Sequence, residues 1–295
     1  MEGDGDGWVR CARDHRHWGR FGAAGLLLHA VDDDGVVRLL LQHRAAWSHH
    51  GDTWGLPGGA RHSHEEAVHA AIREAVEETG IDGGSVRTRH AFVDDHGGWS
   101  YTTVSADLPA PVATSLNRES EALAWVALGE VDALPLHPGF AHTWRLVRPQ
   151  PVVLLVDMAN VVGSRPDGWW RDRPGAAARL LEELAGLRGV TVQGVAQQPG
   201  AQVIAGVVAV LEGAAAAATE PGWVQVRRAA RGGSGDDWLV QAAAALVGEG
   251  QRVTAVTADR ELRGRLTRAG GDQLQVTGPS WLRQVLGSDG SGQRG

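Results

Sequence analysis

Residues 59–81, GARHSHEEAVHAAIREAVEETGI, decide how the first half of this 295-residue chain is read. Glu74, Glu77 and Glu78 stand at i, i+3 and i+4, so on a helix all three project from one face. Like charges at that spacing repel and weaken a bare helix. The cluster makes sense if a cation neutralises it, and hard oxygen donors suit Mg²⁺ or Mn²⁺. The alternative is a solvated amphipathic helix whose acidic face does nothing. Val68, Ile72, Ala75, Val76 and Thr79 would then form its buried side, with Ser63 and Glu66 as a capping box. That accounts for a helix but not for the preceding Trp54-Gly55-Leu56-Pro57-Gly58-Gly59, where two glycines after a proline predict a tight loop able to approach a ligand closely.

The stretch resembles the Nudix box: a glycine, five residues, Glu, seven residues, then Arg-Glu-(apolar)-x-Glu-Glu-x-Gly-(apolar). Gly59, Glu65, Arg73, Glu74, Glu77, Glu78, Gly80 and Ile81 all match, and Ala75 fills the first apolar slot with a small residue. The resemblance implies the α+β Nudix sandwich, a mixed sheet with the box helix, over residues 20–148. It also implies a hydrolase that cleaves a phosphoanhydride bond in a nucleoside diphosphate-linked small molecule with the help of Mg²⁺ or Mn²⁺. Within that class a nucleoside triphosphate pyrophosphohydrolase is the favoured reading. By the same resemblance Glu74, Glu77 and Glu78 hold the metal, with the Gly59 carbonyl as a further ligand. Glu65 and Arg73 are expected to pair across the loop–helix unit and, with Gly80, to be structural. The general base varies across the family, and Glu119, ahead of Glu121, is the choice here.

Hydrophobic content is ordinary, and no apolar run is long enough to span a bilayer. The start, Met-Glu-Gly-Asp-Gly-Asp-Gly, lacks the features of a signal peptide, and Cys11 is the single cysteine, so no intramolecular disulfide forms. The expectation is a cytoplasmic protein without a membrane partner. Residues 1–149 carry 13 arginines against 21 acids, net −8, which argues against this half gripping a long nucleic acid; residues 150–295 carry 15 against 14, net +1, which leaves RNA open.

Residues 1–19, glycine-rich and polar, read as a flexible arm. Cys11, His15 and His17 gather near each other but lack a fourth donor, a poor zinc set on their own. Apolar runs at 21–31 and 36–42 around Asp32-Asp33-Asp34-Gly35 predict a hairpin, and strands follow near 87–93, 99–107 and up to Val126. Asp94–Tyr101 reads as a site-facing loop, with Trp54, Trp99 and Tyr101 available to stack on a base. His49, His50, His62 and His64 surround the box, mostly as exposed loop residues.

Pro149 and Pro151 mark a linker. From 152 the pattern becomes one of continuous apolar strands, such as Val152–Val156, alternating with helices from Pro174 and over 236–247. This predicts a doubly wound α/β domain over 152–286, with 287–295 as a disordered tail. Asp157 and Asp259 each follow a buried strand, at the edge where such sheets bind ligands. Asp236 and Asp237 open a helix with Ser234 as N-cap.

Val-Asp157-x-x-Asn160-Val, Gly-Asp236-Asp237 and Thr-Ala-Asp259-Arg-Glu-Leu resemble the PIN-like ribonucleases of the NYN group, although Met158-Ala159 replaces the usual Gly-Tyr. This resemblance implies a second metal site from Asp157, Asn160, Asp236, Asp237 and Asp259, and RNA as a partner. Arg227, Arg228, Arg231, Arg263, Arg265 and Arg268 would form its rim. The rival to the hydrolase is therefore a metal-dependent ribonuclease acting through this domain, with the Nudix domain as nucleotide sensor. A non-catalytic regulator is disfavoured by the intact box acids.

Overall fold

The computed structural model describes residues 3–118, 120–194, 200–229 and 234–290. It divides into two compact units, Met1–Arg148 and Pro149–Gly295.

The first unit opens with β1 (Trp8–Arg10) and β2 (Arg16–Trp18), which pair antiparallel. The expectation of a flexible arm over 1–19 is corrected here. Trp8 faces Trp18 across the strands with ring centroids 5.5 Å apart, and the Arg16 guanidinium lies 4.8 Å from the Trp8 ring centre. A polar, glycine-rich average conceals two three-residue strands whose pairing rests on these cross-strand contacts.

Then come β3 (Ala23–Val31), β4 (Val37–Arg44), β5 (Trp54–Gly55), β6 (Gly58–Ala60), α1 (Ala67–Thr79), β7 (Arg87–Asp95), β8 (Ser100–Asp107), β9 (Ser120–Ala127) and α2 (Pro138–Val147). The strands form one mixed sheet in the order β5-β4-β3-β8-β7, with β6 on β3 and β9 on β4. β3 is its centre. Its first residues pair antiparallel with β6, its last with β4, and it runs parallel to β8. Every residue of β3 is buried. Ala24, Leu26, Leu28 and Ala30, alternating along the strand, share one cluster with Ala70, Ala71 and Ala75 of α1. Each fully buried leucine there contributes about 1.5–3 kcal/mol.

The buried side of α1 is largely the one expected, with Val68 and Ile72 packed against its margin, but it is centred on smaller residues. Ala70, Ala71, Ala75, Glu78 and Thr79 are buried, whereas Val76 is exposed. Small alanines let the helix lie close to the sheet. The capping box does not form: Glu66 is the N-cap without a side-chain bond, and the Ser63 N–H donates to Asp4 Oδ1 at 3.1 Å. At the other end Gly80 (φ +71°) takes the left-handed conformation and its N–H donates to Val76 O.

The second unit comprises β10 (Gln150–Asp157), α3 (Met158–Gly163), α4 (Arg173–Ala185), β11 (Thr191–Gln193), β12 (Ala201–Leu211), β13 (Gln225–Arg228), α5 (Gly235–Gly248), β14 (Val253–Val256), α6 (Arg260–Gly270), β15 (Leu274–Thr277) and α7 (Pro279–Gly290). The parallel order is β13-β12-β10-β14-β15, with β11 antiparallel on the start of β12. Val152, Leu154 and Val156 pack with α3, α4 and α7, while Val153 and Leu155 pack with α5 and α6. Successive β10 residues thus serve opposite helix layers, the arrangement of a doubly wound domain. The chain builds outward from β10 on one side, then returns to add β14 and β15 on the other, so the order reverses between β10 and β14.

The expected disordered tail begins inside a helix: α7 runs through Gly290, anchored by buried Leu282 and Val285, and residues 291–295 lie outside the described residues. Among the described residues no helix is long and apolar enough to cross a membrane.

Candidate active site

In the first unit β6 and α1 form a single bonded piece. The Arg73 guanidinium makes a two-pronged pair with Glu65, Nε to Oε1 at 2.8 Å and Nη2 to Oε2 at 2.8 Å. It also donates to Ala60 O at 3.0 Å and to Glu74 Oε1 at 2.8 Å. One planar cation therefore ties the loop, the strand and the helix together, which a lysine could not do with the same geometry. Hydrogen bonding to Arg73 holds Glu65 below its usual range, and Glu65 in turn holds Arg73 above its own.

The helix face carrying the other acids is turned to the glycine loop. Glu78 is buried, and its Oε2 accepts the Gly58 N–H at 2.8 Å. A Cβ on Gly59 would come within 2.6 Å of the Glu74 carboxylate, so only glycine permits this approach. Glu77 is 60% exposed and stands 3.7 Å from Arg73. The Tyr101 phenol is raised above its ordinary range by burial and then by Glu78, and its hydroxyl lies where a Gly25 side chain would be. Buried negative charge thus gathers beside exposed Glu77, with the loop backbone at its edge.

Known proteins resemble this half of the chain. The family profile described as "NUDIX domain" matches residues 20–147. A curated relative from Mycobacterium tuberculosis, "Putative 8-oxo-dGTP diphosphatase 3", is 50% identical over 162 residues, covering 52% of this chain and 74% of the relative. The chain belongs to the Nudix hydrolase family. A "Nucleoside triphosphate pyrophosphatase/Nudix hydrolase fusion protein" of Bifidobacterium longum is 38% identical over 145 residues, 48% of this chain and 30% of that protein. Among solved structures, a Nudix hydrolase from M. smegmatis is 49% identical, with 49% of this chain and 93% of that chain covered and a TM-score of 0.47.

Around the Nudix domain's box the other expected residues are distributed unevenly. Glu119 lies outside the described residues, and Glu121 is exposed at the start of β9. Within Asp94–Tyr101 the two ends differ: the Trp99 ring stacks on His17 at 3.9 Å and its Nε1 donates to Gly19 O at 3.0 Å, which commits it to the N-terminal hairpin, whereas Tyr101 lies beside Glu78. Trp54 packs against His43 with ring centroids 5.0 Å apart. His62 sits 3.6 Å from Asp4, and His49 and His50 meet edge to face, His50 also touching His137.

In the second unit, β10 and β14 are parallel neighbours, so Asp157 and Asp259 share one sheet edge at the point where strand order reverses. Asp157 is buried, and accepts the Asn160 N–H at 3.0 Å and the Thr257 hydroxyl at 2.8 Å. Burial still pushes it above the usual carboxylate range, with Asp236 and Glu212 adding to the rise. Asp236 is raised by burial and then by Asp259.

Glu212, just after β12, belongs to this group and was missed. The signal was the same as for Asp157, an acid directly after a buried run. Its Oε2 accepts the Gly235 N–H at 3.1 Å, which ties it to the first turn of α5. Two expected members are otherwise engaged. The Asn160 side-chain oxygen accepts the Ala258 N–H at 2.8 Å, and Asp237 pairs with Arg265. Asp259 is exposed and caps α6 by accepting the Leu262 N–H at 2.8 Å. Of the supposed arginine rim, Arg228 bonds Glu220, Ala216 O and Ala218 O, Arg263 bonds Thr257 O and Val276 O, and Arg231 lies outside the described residues.

Proposed function

We propose that the Nudix domain is a nucleoside triphosphate pyrophosphohydrolase, cleaving the α–β phosphoanhydride to leave a nucleoside monophosphate and pyrophosphate. The observation that carries this reading is the junction of box and loop. Glu74, Glu77 and Glu78 lie on one helix face, Glu78 is seated on the Gly58 N–H, and Gly59 lies hard against Glu74. These oxygen donors fit a divalent cation of the Mg²⁺ or Mn²⁺ class, with Glu77, Glu78, Glu74 and the Gly59 carbonyl as its holders. Such an ion would neutralise phosphate charge and acidify a water. The chain's own part is positional: Arg73 keeps the acids and the loop in register, and Gly58 orients Glu78. The relative described as a putative 8-oxo-dGTP diphosphatase favours a triphosphate over other nucleoside diphosphate conjugates.

The test is incubation of the full chain with Mg²⁺ or Mn²⁺ and a panel of normal and oxidised nucleoside triphosphates beside nucleoside diphosphate conjugates, with products separated by chromatography. Monophosphate plus pyrophosphate from at least one triphosphate supports the reading. Cleavage of conjugates alone would replace it with another substrate within the class.

A second activity is favoured by one observation, the raised Asp157 and Asp236 at the switch point of a doubly wound sheet. The cost of burying these carboxylates beside Asp259 and Glu212 is what a bound divalent cation would relieve, as the PIN-like reading requires. On that reading the second domain cleaves single-stranded RNA and the Nudix domain reports nucleotide supply. Loss of RNA cleavage in Asp157→Asn, with nucleotide hydrolysis kept, is the expected outcome. An inactive wild-type chain on RNA would end it.

A further inference from the structure

The turn that closes β1–β2 lies against the turn that joins β7 to β8. The Ala12 N–H donates to Gly97 O at 2.8 Å, and Arg13 Nη2 donates to Asp95 O at 2.9 Å. This contact brings Cys11, His15 and His17 of the hairpin up to His96 of the second turn. One ligand atom from each, a sulfur and three imidazole nitrogens, lies within 4.8 Å of all the others. The sequence offered only three of these donors close together. The fold supplies the fourth.

A second observation points to a ligand at the same place. His17 Nε2 and His96 Nδ1 are both buried without a hydrogen-bond partner. A buried polar atom left unmet destabilises the fold that holds it, so a pair side by side is a poor choice for an inert core. The other nitrogen of His96, Nε2, is 3.1 Å from Asp94 Oδ2. With the proton on Nε2 facing the carboxylate, Nδ1 carries the free lone pair, as in imidazoles oriented by an acid behind a metal. The His17 ring is held flat against Trp99 at an interplanar angle of 11°. Cys11 is 5% exposed.

We propose that Cys11, His15, His17 and His96 bind a single zinc ion in a closed Cys-His₃ site that clamps the N-terminal hairpin to the β7–β8 turn. One thiolate and three imidazoles suit tetrahedral Zn²⁺ and not the hard, oxygen-seeking cation of the box. At ordinary Zn–S and Zn–N lengths the ligand atoms of such a tetrahedron stand about 3.3–3.7 Å apart, so the four groups need to close by roughly an ångström. Binding displaces the Cys11 thiol proton to solvent. Four protein ligands leave no open position, which makes the site structural.

Its position gives it a use. The residues leading into β1 run beside the segment that follows β6: Asp4 accepts the Ser63 N–H, and Gly5 O accepts the Arg20 N–H at 2.7 Å. Arg61 N–H donates to Gly22 O at 3.0 Å in the same region. Three-residue strands such as β1 and β2 have little stability of their own, and a metal clip would hold them against the stretch next to the Gly59–Ala60 loop.

The experiment uses the full chain, expressed with zinc, passed through gel filtration and analysed for metal. The expected content is one zinc per chain. Replacement by Co²⁺ should produce a thiolate-to-cobalt charge-transfer band, and since Cys11 is the single cysteine the band reports this site alone. Cys11→Ser and His96→Ala should each lower zinc content at least tenfold, whereas Glu77→Gln with Glu78→Gln should retain it. Wild-type protein free of zinc and without the cobalt band would overturn the proposal, as would wild-type zinc content in both site variants. If the variants do not fold, the cobalt spectrum of the wild-type chain decides.

Discussion

The Nudix box and the switch-point acids of the second unit both crowd carboxylates, but Arg73 sits inside the first crowd whereas Arg265 pairs with Asp237 at the margin of the second. In the box, Arg73 bridges Glu65 and Glu74, and Glu78 rests on the Gly58 N–H. At the switch point Asp157 and Asp236 are raised by burial and by their acidic neighbours, while Arg265 is paired with Asp237. The difference separates two ways of building an acidic site. The box is braced whether or not a metal is bound, so its acids are available for chemistry without threatening the fold. At the second site burial, with the neighbouring acids adding to it, still holds Asp157 above its usual range, so removing that charge should be felt in stability.

The largest expected effect is catalytic. Glu78→Gln should keep the Gly58 hydrogen bond through its amide oxygen yet lower kcat/KM for the preferred nucleotide by about 10²-fold or more, the scale of several kcal/mol of metal-borne charge stabilisation. Glu77→Gln should do the same, with melting temperatures in the absence of metal no lower than wild type, since relief of the like charges at Glu74 and Glu78 offsets the loss of the exposed 3.7 Å pair with Arg73. Near-wild-type turnover in either variant at saturating Mg²⁺ would remove the box from the active site and the comparison with it.

Next in size is the brace. Glu65→Ala leaves Arg73 without its two-pronged partner and should cost roughly 1.5–3 kcal/mol, the range for hydrogen bonds to charged groups. Because Glu65 is held below its ordinary value, its contribution is present above the unfolded carboxylate range near pH ~4.3 and is lost as pH falls through the folded value. Urea titrations at pH 7 and at pH 3 should therefore differ for wild type more than for the variant. Equal pH sensitivity in both would show that the brace is not electrostatic.

At the switch point the sign reverses. Asp157 has a raised folded pKa, so its contribution is most favourable below about pH 3.9, where it is neutral folded and unfolded, and declines as pH rises through the folded value. Asp157→Asn should accordingly stabilise the metal-free chain at pH 7 by about 0.5–1 kcal/mol, part of the relief being offset by a weaker bond to Thr257. The advantage should vanish in acid. A destabilised variant at pH 7 would mean that the hydrogen bonds from Asn160 and Thr257 outweigh the cost of burying the charge, and the second site would then resemble the first.

What could be read from the chain follows the same division. The box was legible because its donors are contiguous and their spacing maps onto one helix face. The second sheet was legible because strands buried on both faces leave unbroken apolar runs, and acids after two of them marked the edge. Glu212 obeys the same rule, standing directly after the buried end of β12. His96 was beyond the rule: its relation to Cys11 and His17 exists only once β7–β8 folds back on the hairpin, and polar composition disguised that hairpin as a loose arm. The centring of α1 on Ala70 and Ala71 was hidden differently, since alanines count as only weakly apolar in a sequence pattern.

The smallest expected effect tests whether the two regions are separate at all. The box, its loop, the mixed sheet and α2 all lie within Met1–Arg148, a compact unit. A chain of residues 1–148 should therefore retain nucleotide hydrolysis within about twofold of the full chain, the change a substitution remote from the site would bring. The same truncation removes every switch-point acid, so any RNA cleavage should disappear while hydrolysis stays. A folded fragment, verified by its circular dichroism and melting transition, that loses nucleotide hydrolysis would show that the Nudix site borrows a group from beyond Arg148. The brace of Arg73 would then be insufficient by itself, and the contrast between a self-contained site and one burdened by buried charge would have to be redrawn around whatever residue the second half supplies.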